Sequence, residues 1–125
     1  MIVADTDVLI DALAGRQPVT DAVARALRQG RLATTSVNAF ELWSGSTSDA
    51  QHSKVSALLA ATRILNLDAG AARRAASARL QLEASGRPIG MADYLIAGVC
   101  LSRGLPLLTR NRRHFERVEG LELVE

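Results

Sequence analysis

Three aspartates interrupt an otherwise apolar run at the start of the chain. Asp5, Asp7 and Asp11 all lie in the stretch MIVADTDVLID. Asp5 directly follows Ile-Val-Ala, where an unpaired carboxylate would cost several kcal/mol, and a cation is its simplest partner. We expect Asp7 to be a helix N-cap or first-turn acid, and Asp11 to be a solvated residue on the face of the same helix.

Three further oxygen-bearing side chains, in segments far from Asp5, could take part in the same chemistry. They are Glu41, Asp93 and Asn111. Oxygen ligands without His or Cys suit Mg²⁺ or Mn²⁺. Clustered carboxylates raise each other's pKa, and a bound cation removes that conflict. Taken alone, Glu41 is more often an exposed helix residue and Asp93 a favourable first-turn charge, so the metal site depends on the fold bringing them together.

The elements that must position these residues are short apolar strands alternating with amphipathic helices. Ser36 and Asp68 are expected to be helix N-caps, 46–49 a flexible loop and 110–117 a polar connection. The alternation predicts a single α/β domain over 1–125, with a mostly parallel sheet of about four to five short strands and helices on both faces. We predict strands at 2–5, 31–36, 63–68, 107–109 and 121–124, and helices at 7–14, 19–30, 37–45, 52–62, 69–85 and 91–104.

Parallel strands of this kind bind ligands beyond their carboxyl ends. Asp5 ends the first predicted strand, and Asn111 follows the strand at 107–109. Glu41 lies in the first half of the helix after the second strand, and Asp93 in the first turn of a later helix. The four side chains are therefore expected to meet at one edge of the sheet.

Composition excludes several other classes of site. One cysteine, Cys100, excludes an internal disulfide and a multi-cysteine metal site, and two histidines exclude a histidine-rich zinc site. Cys100 lies in an apolar helix and is expected to be a packed core thiol. The absence of a Gly-rich phosphate loop argues against a nucleotide-dependent enzyme. With no basic leader and no apolar run of about 20 residues, a cytoplasmic protein without membrane segments is expected.

Four stretches in order, VADTDVLID, AFELWSG, GMADYLIAG and LPLLTRNRRHFERVEGLELV, resemble the motifs of PIN-domain ribonucleases. The resemblance is strongest to VapC-type toxins of type II toxin–antitoxin pairs. It implies a PIN fold and an Mg²⁺-dependent endoribonuclease, with Mn²⁺ as the alternative ion. Asp5, Glu41 and Asp93 match the first three acidic positions, and Thr6 is the hydroxyl neighbour of the first.

The fourth acidic position is where the sequence departs from that pattern. Asn111 is the stand-in we favour, with His114 as the other candidate. An amide oxygen binds a cation more weakly than a carboxylate does, which puts a second metal in doubt. In the mechanism that the resemblance implies, Asp5 and Asp93 bind the metal, Glu41 binds it directly or through water, and a metal-activated water attacks the phosphorus in line.

The same resemblance implies partners. Arg110, Arg112 and Arg113 are candidates for binding RNA phosphates, although each could equally be part of a solvated connection. A cognate VapB-type antitoxin and a homodimer are expected. The helix at 19–30 and the segment around Trp43 are candidate contact surfaces, although Trp43 could equally be a core residue.

Two alternatives remain at this point. A haloacid-dehalogenase-type phosphatase also begins with a strand ending in Asp-x-Asp, which would make Asp5 a nucleophile. That class needs a downstream lysine, and Lys54, the only lysine in the chain, comes too early. The second alternative is a non-catalytic PIN-like binding module, an alternative that Asn111 keeps open.

Overall fold

Four parallel strands form the centre of the computed structural model, which describes all residues from Met1 to Glu125. Their spatial order is β3-β2-β1-β4, and every neighbouring pair is parallel. In register, Ile2 pairs with Leu32 and Val3 with Leu107. The predicted α/β class and parallel sheet are therefore confirmed. The strands are β1 (Ile2–Ala4), β2 (Leu32–Thr35), β3 (Arg63–Leu65) and β4 (Leu107–Leu108).

All six predicted helices are present, with ends that shift by a few residues, and a seventh is added. Asp68 caps its helix as predicted, through its side chain and the Ala71 amide. The helices are α1 (Thr6–Leu13), α2 (Val19–Arg28), α3 (Ser36–Gly45), α4 (Asp49–Ala61), α5 (Ala69–Ala84), α6 (Met91–Arg103) and α7 (Arg112–Phe115).

Four local predictions are wrong. Thr35, not Ser36, caps α3, because Thr35 and Asn38 form a reciprocal capping box. The predicted loop at 46–49 is shorter, because Ser48 caps α4 and starts that helix earlier. The predicted polar connection at 110–117 contains α7, because Phe115 is fully buried and anchors a helical turn. The predicted strand at 121–124 is reduced to one bridge, between Leu107 and Leu123.

Two apolar clusters, one on each face of the sheet, form the core. Successive strand residues face opposite sides, so Val3 belongs to one cluster and Ala4 to the other. The first cluster packs α5, α6 and α7 against the sheet, and the second packs α1 to α4. Cys100 lies in the first cluster and is 1% exposed, which confirms a packed core thiol, and this burial raises the pKa of the thiol to about 12.

Close packing of α5 on α6 fixes the position of the helix that carries Asp93. Gly98 makes this approach feasible: a Cβ at that position would lie 2.4 Å from the carbonyl oxygen of Ala71. The hydroxyl of the buried Tyr94 accepts a hydrogen bond from the Ile89 amide, which fixes the segment leading into α6. None of the helices combines the length and apolar character needed to cross a membrane.

The strand order reverses at β1, which lies between β2 and β4. From β1 the chain builds outward to β2 and β3 on one side, and later returns to place β4 on the other. In open parallel sheets such a reversal opens a crevice beyond the carboxyl ends of the strands. Here Asp5 directly follows β1 and Thr109 directly follows β4, so both lie at this edge of the sheet.

Candidate active site

Asp5 lies at this edge as the N-cap of α1, with only 6% of the residue exposed. Its Oδ1 accepts hydrogen bonds from the Thr6 amide at 2.8 Å and from Asn38 Nδ2 at 3.0 Å. Its Oδ2 accepts one from Thr109 Oγ1 at 2.7 Å. All three donors are neutral. They hold the carboxylate in one orientation without compensating its charge.

A hydrogen-bond network joins Asp5 to Glu41. Thr6 Oγ1 donates to Glu41 Oε1 at 2.7 Å and accepts from Asn38 Nδ2 at 2.9 Å. The Asn38 amide is fixed from its other side, because its Oδ1 accepts from Thr35 Oγ1 at 2.7 Å. Glu41 is half-buried, so the interpretation of it as an isolated exposed helix residue does not hold.

Sequence reasoning missed Asn38, which is fully buried and touches two of the predicted site residues. The Thr-x-x-Asn spacing of a capping box was the available signal, and it would have indicated only a helix start. The contact with Asp5 depends on β1 and β2 being neighbours, which the local pattern does not show.

Asp93 approaches the same edge from the first turn of α6. Its Oδ2 lies 3.5 Å from His114 Nδ1, and Asn111 Nδ2 lies 3.1 Å from the same ring nitrogen. The backbone N–H of Asn111 donates to Thr109 Oγ1 at 2.9 Å, and this hydroxyl in turn donates to Asp5. The segment after β4 therefore connects Asp5 to Asp93 through the contacts of Thr109, Asn111 and His114.

The pKa values of three carboxylates, those of Asp5, Asp7 and Asp93, are affected by one another's charges. Burial is the main cause that raises the pKa of Asp5, and the negative charge of Asp93 raises it further. Burial likewise raises the pKa of Asp7, with Asp5 adding to it, and the pKa of Asp93, with Asp7 adding to it. The expected mutual effect of the carboxylates is present, but loss of hydration is the larger cause.

The chemistry of this donor set fits a hard divalent cation. Asp5 is a nearly buried carboxylate with no basic partner, and Asp93 and Asp7 add negative charge nearby. No three His, Cys, Asp or Glu side chains already surround a common point. A cation that takes three of these carboxylates as ligands would therefore need their side chains to rotate. The structure brings Asp5, Glu41, Asp93 and Asn111 to one edge of the sheet, and their role as ligands stays a prediction.

Asp11 contradicts the expectation of a solvated helix residue. It is only 4% exposed and accepts from two guanidinium groups, Arg16 Nη1 and Arg110 Nε, each at 2.8 Å. The segment after β4 covers this side of α1, which explains the burial. Asp7 is a first-turn acid as predicted, but the N-cap is Asp5, and the Asp7 carboxylate accepts from the Arg110 amide.

The three predicted phosphate-binding arginines differ in the contacts that their guanidinium groups make within the protein. The Arg110 side chain pairs with Asp11, and Arg112 Nη1 donates to the Val124 carbonyl oxygen at 2.7 Å. Arg113 is exposed and pairs with neither Asp11 nor the Val124 carbonyl oxygen. Of the three, Arg113 has the guanidinium that is most available to RNA.

An open groove of about 310 Å³ runs from Glu41 between α1, α3 and α4. On the same helix as Glu41, Phe40 is 69% exposed and Trp43 is 40% exposed. The Trp43 ring stacks on His52 with centroids 5.9 Å apart, so Trp43 is a surface residue and not a core one. The groove is lined by Ile10, Leu13, Ala14, Glu41, Leu42, Gly45, Ser46, Gln51, Lys54 and Val55.

Comparison with known proteins decides the family. The model of the PIN domain matches residues 2–121. The chain belongs to the PIN-domain family. This membership confirms the resemblance seen in the sequence and leaves the phosphatase alternative without support.

Relatives within the PIN-domain family carry VapC names. The chain is 36% identical to ribonuclease VapC10 of Mycobacterium tuberculosis over 122 residues, which are 98% of this chain and 91% of that protein. It is 36% identical to the tRNA(fMet)-specific endonuclease VapC of Shigella flexneri over 99 residues, 76% of this chain and 75% of that protein. The chain is thus a VapC-type member of the PIN-domain family.

A solved structure shows the same fold. It is that of VapBC-5 from Mycobacterium tuberculosis, a member of the VapBC family of toxin–antitoxin systems, with a TM-score of 0.69 and 32% identity. The match covers 98% of this chain and 94% of that one. The PIN-like arrangement of sheet and helices is thereby confirmed.

Proposed function

We propose that this chain, as a single PIN domain, is the toxin of a type II toxin–antitoxin pair and hydrolyses RNA as an endoribonuclease. The observation that carries the proposal is the buried Asp5 carboxylate, held by neutral donors at the reversal of strand order with the acids Asp7 and Asp93 close by. Ribonucleases among its relatives supply the reaction class.

In this proposal Asp5 and Asp93 hold a divalent cation, Mg²⁺ or Mn²⁺, and Glu41 contacts it directly or through water. The bound cation would lower the pKa of a coordinated water and offset negative charge on the phosphodiester. Asn38, Thr6 and Thr109 keep the Asp5 and Glu41 oxygens in place, so little reorganisation is needed when RNA binds.

Glu41 has the geometry of a group that orients water. Its Oε1 is committed to the Thr6 hydroxyl, which leaves Oε2 for a hydrogen bond from the attacking water. A carboxylate in this position can accept the proton that the water loses as the new oxygen–phosphorus bond forms.

The RNA backbone would be bound next to this edge, where Arg113 supplies a free guanidinium and the Arg110 and Asn111 segment supplies polar groups. Phosphate contacts release counterions, so RNA binding should weaken as the salt concentration rises. The cognate antitoxin would use the groove beside Glu41 and the exposed rings of α3, and the expected homodimer would cover a further apolar surface.

An RNA cleavage assay with Asp5→Asn tests the proposal. Asparagine keeps the size of the side chain and an oxygen for the Thr6 amide, but removes the charge that a cation needs. We expect cleavage to fall by about 100-fold or more, with an unchanged circular dichroism spectrum.

Asp21→Asn is the matched control, because Asp21 is an exposed acid on α2. Equal cleavage by Asp5→Asn and wild type would refute the assigned role. Absence of cleavage by wild type under all divalent ions would favour the non-catalytic binding module.

A further inference from the structure

Helix α5 is apolar on two opposite faces. One face packs into the core through Ala71, Ala75, Ala78 and Leu82. On the other side Ala69, Ala76 and Leu80 are exposed, and Leu80, at 71%, is the most exposed of the large hydrophobic residues in the chain. A surface helix normally combines one apolar stripe with a polar opposite face. A second apolar stripe indicates a contact that one copy of the chain does not make by itself.

The exposed residues of this second stripe have the spacing of a coiled-coil seam. Their separations alternate between four and three residues, as those of the two inward-facing positions of a heptad do. The two central residues are apolar and the residues on either side of them are charged, apart from an alanine at the start. The stripe consists of Ala69, Arg73, Ala76, Leu80 and Glu83, all exposed. Its shape therefore suits another helix packed along it.

Charge and size along the stripe are self-complementary for two antiparallel copies of α5. Arg73 and Glu83 are each five residues from Ala78, on opposite sides of it, and Ala76 and Leu80 are each two residues from it. A two-fold axis at the level of Ala78 therefore places Arg73 of one copy beside Glu83 of the other, and Ala76 beside Leu80. The small alanine leaves room for the larger leucine, so each copy fills the space that the other offers.

The charged pairs favour this arrangement over others. Glu83 Oε2 accepts from Arg79 at 2.9 Å within the chain, which leaves Oε1 for a second guanidinium. Arg73 is exposed and forms no ion pair within the chain. Two parallel copies would instead place like charges together, which opposes association. A helix that matches the stripe needs a base, a small residue, a large apolar residue and an acid in this order, and α5 itself supplies them.

We infer that the stripe on α5 is the contact between two copies of this chain, with the two α5 helices antiparallel. The inference rests on the homodimer that the proposed function includes, and it names a surface other than α2 and the segment around Trp43. The groove beside Glu41 contains no residue of α5, so the dimer and the antitoxin would use different elements.

Charge exchange followed by sedimentation equilibrium tests the antiparallel contact. We expect wild type to dimerise. Arg73→Glu and Glu83→Arg each place like charges together in both charged pairs, so each should raise the dimer Kd about tenfold or more. The double variant restores opposite charges and should return the Kd to within about threefold of wild type. An equimolar mixture of the two single variants should form heterodimers, because both charged pairs are then again of opposite sign.

The double variant and the mixture also control for a local effect of Glu83→Arg. This substitution removes the contact between Glu83 and Arg79 within one chain. The double variant lacks that contact too, so its recovery would be due to the pair formed between copies.

A second substitution tests the apolar centre of the contact. Leu80→Gln should raise the dimer Kd about tenfold, because Leu80 occurs twice in the contact. Its circular dichroism spectrum should not change, since the side chain lies outside the core. Phe40→Gln is the matched control, because Phe40 is 69% exposed but lies on α3, and it should keep the Kd of wild type.

Three results would overturn the inference: a wild-type chain that stays monomeric up to its solubility limit, dimers that persist unchanged in Arg73→Glu and Leu80→Gln, or loss of the dimer in Phe40→Gln alone. None of them concerns the reaction, because sedimentation does not depend on RNA cleavage. The nuclease proposal would survive each of them if Asp5→Asn still abolished cleavage. It would fail separately if Asp5→Asn left cleavage unchanged while the α5 variants behaved as expected.

Discussion

Asp5 and Asp11 lie six residues apart and are almost equally buried, at 6% and 4% exposure, yet their surroundings are opposite. Asp11 accepts from two guanidinium groups, at 2.8 Å each. Asp5 accepts only from neutral donors, and burial raises its pKa. A buried carboxylate with arginine partners is a structural link, whereas the charge of one without them is uncompensated, and under the proposed function a divalent cation would balance it.

The largest expected effect separates the two aspartates by activity. Asp5→Asn should reduce RNA cleavage by about 100-fold or more, whereas Asp11→Asn should reduce it by less than about tenfold. The physical reason is that, under the proposed function, Asp5 would hold the cation, whereas Asp11 pairs with Arg16 and Arg110. Single-turnover cleavage of one RNA by both variants measures the difference. Similar losses in the two variants would break the distinction.

Asn38→Ala tests whether the neutral donors matter. It removes the Nδ2 contacts to Asp5 and Thr6, so both Asp5 and Glu41 lose support. We expect cleavage to fall about 10- to 100-fold, as for other residues that orient metal ligands. The variant should also be destabilised by about 1–3 kcal/mol, because Thr35 loses its buried partner.

Two measurements separate these effects of Asn38→Ala. Urea denaturation gives the loss of stability, and a cleavage assay gives the loss of activity. If activity at a temperature well below unfolding matches wild type, Asn38 contributes to folding alone.

Asp11→Asn should reveal the structural role of its ion pairs. Both arginines are well exposed, at 64% for the Arg16 side chain and 60% for that of Arg110, so water compensates part of the loss. We expect a loss of about 1–3 kcal/mol in the free energy of unfolding. The double variant Asp11→Asn with Arg110→Gln should lose less than the sum of the single variants. Exact additivity would mean that the pair does not couple.

The smallest expected effect is the pH dependence of stability without metal. The folded-state pKa of Asp5 is raised above its ordinary value of 3.8, so the folded protein holds this proton more tightly than the unfolded chain does. Stability from this group is therefore fully present below about pH 4 and is lost as pH rises through the raised pKa. Asp7 and Asp93 act in the same direction.

In the presence of a metal chelator, wild-type protein should accordingly lose more stability between pH 4 and pH 7 than Asp5→Asn does. Urea denaturation of both proteins across this range measures the difference, which includes the contribution of Asp7 that depends on the Asp5 charge. Identical pH slopes would contradict the raised pKa of Asp5.

The sequence allowed much of this arrangement to be predicted, for a specific reason. A carboxylate directly after Ile-Val-Ala has few explanations, and the alternation of strands and helices implies a parallel sheet whose carboxyl ends form one edge. The placement of Asp5, Glu41, Asp93 and Asn111 at that edge followed from these two facts. Cys100 was correctly placed in the core because its whole segment is apolar.

The rest depended on contacts between distant segments. Asp11 was judged by its position on α1 alone, and nothing local indicates that Arg110, about a hundred residues later, covers it. Asn38 became a site residue only because β2 lies next to β1. The segment at 110–117 was judged by its charge, and the one buried ring of Phe115 outweighed that charge.

Anomalous diffraction from crystals grown with Mn²⁺ shows whether Asp5 and Asp93 share a cation. We expect a Mn²⁺ peak at the carboxyl edge of the sheet within bonding distance of Asp5 and Asp93, and its absence in Asp5→Asn crystals. A well-ordered crystal with no peak there, or with peaks only on other surfaces, would contradict a shared cation at this edge.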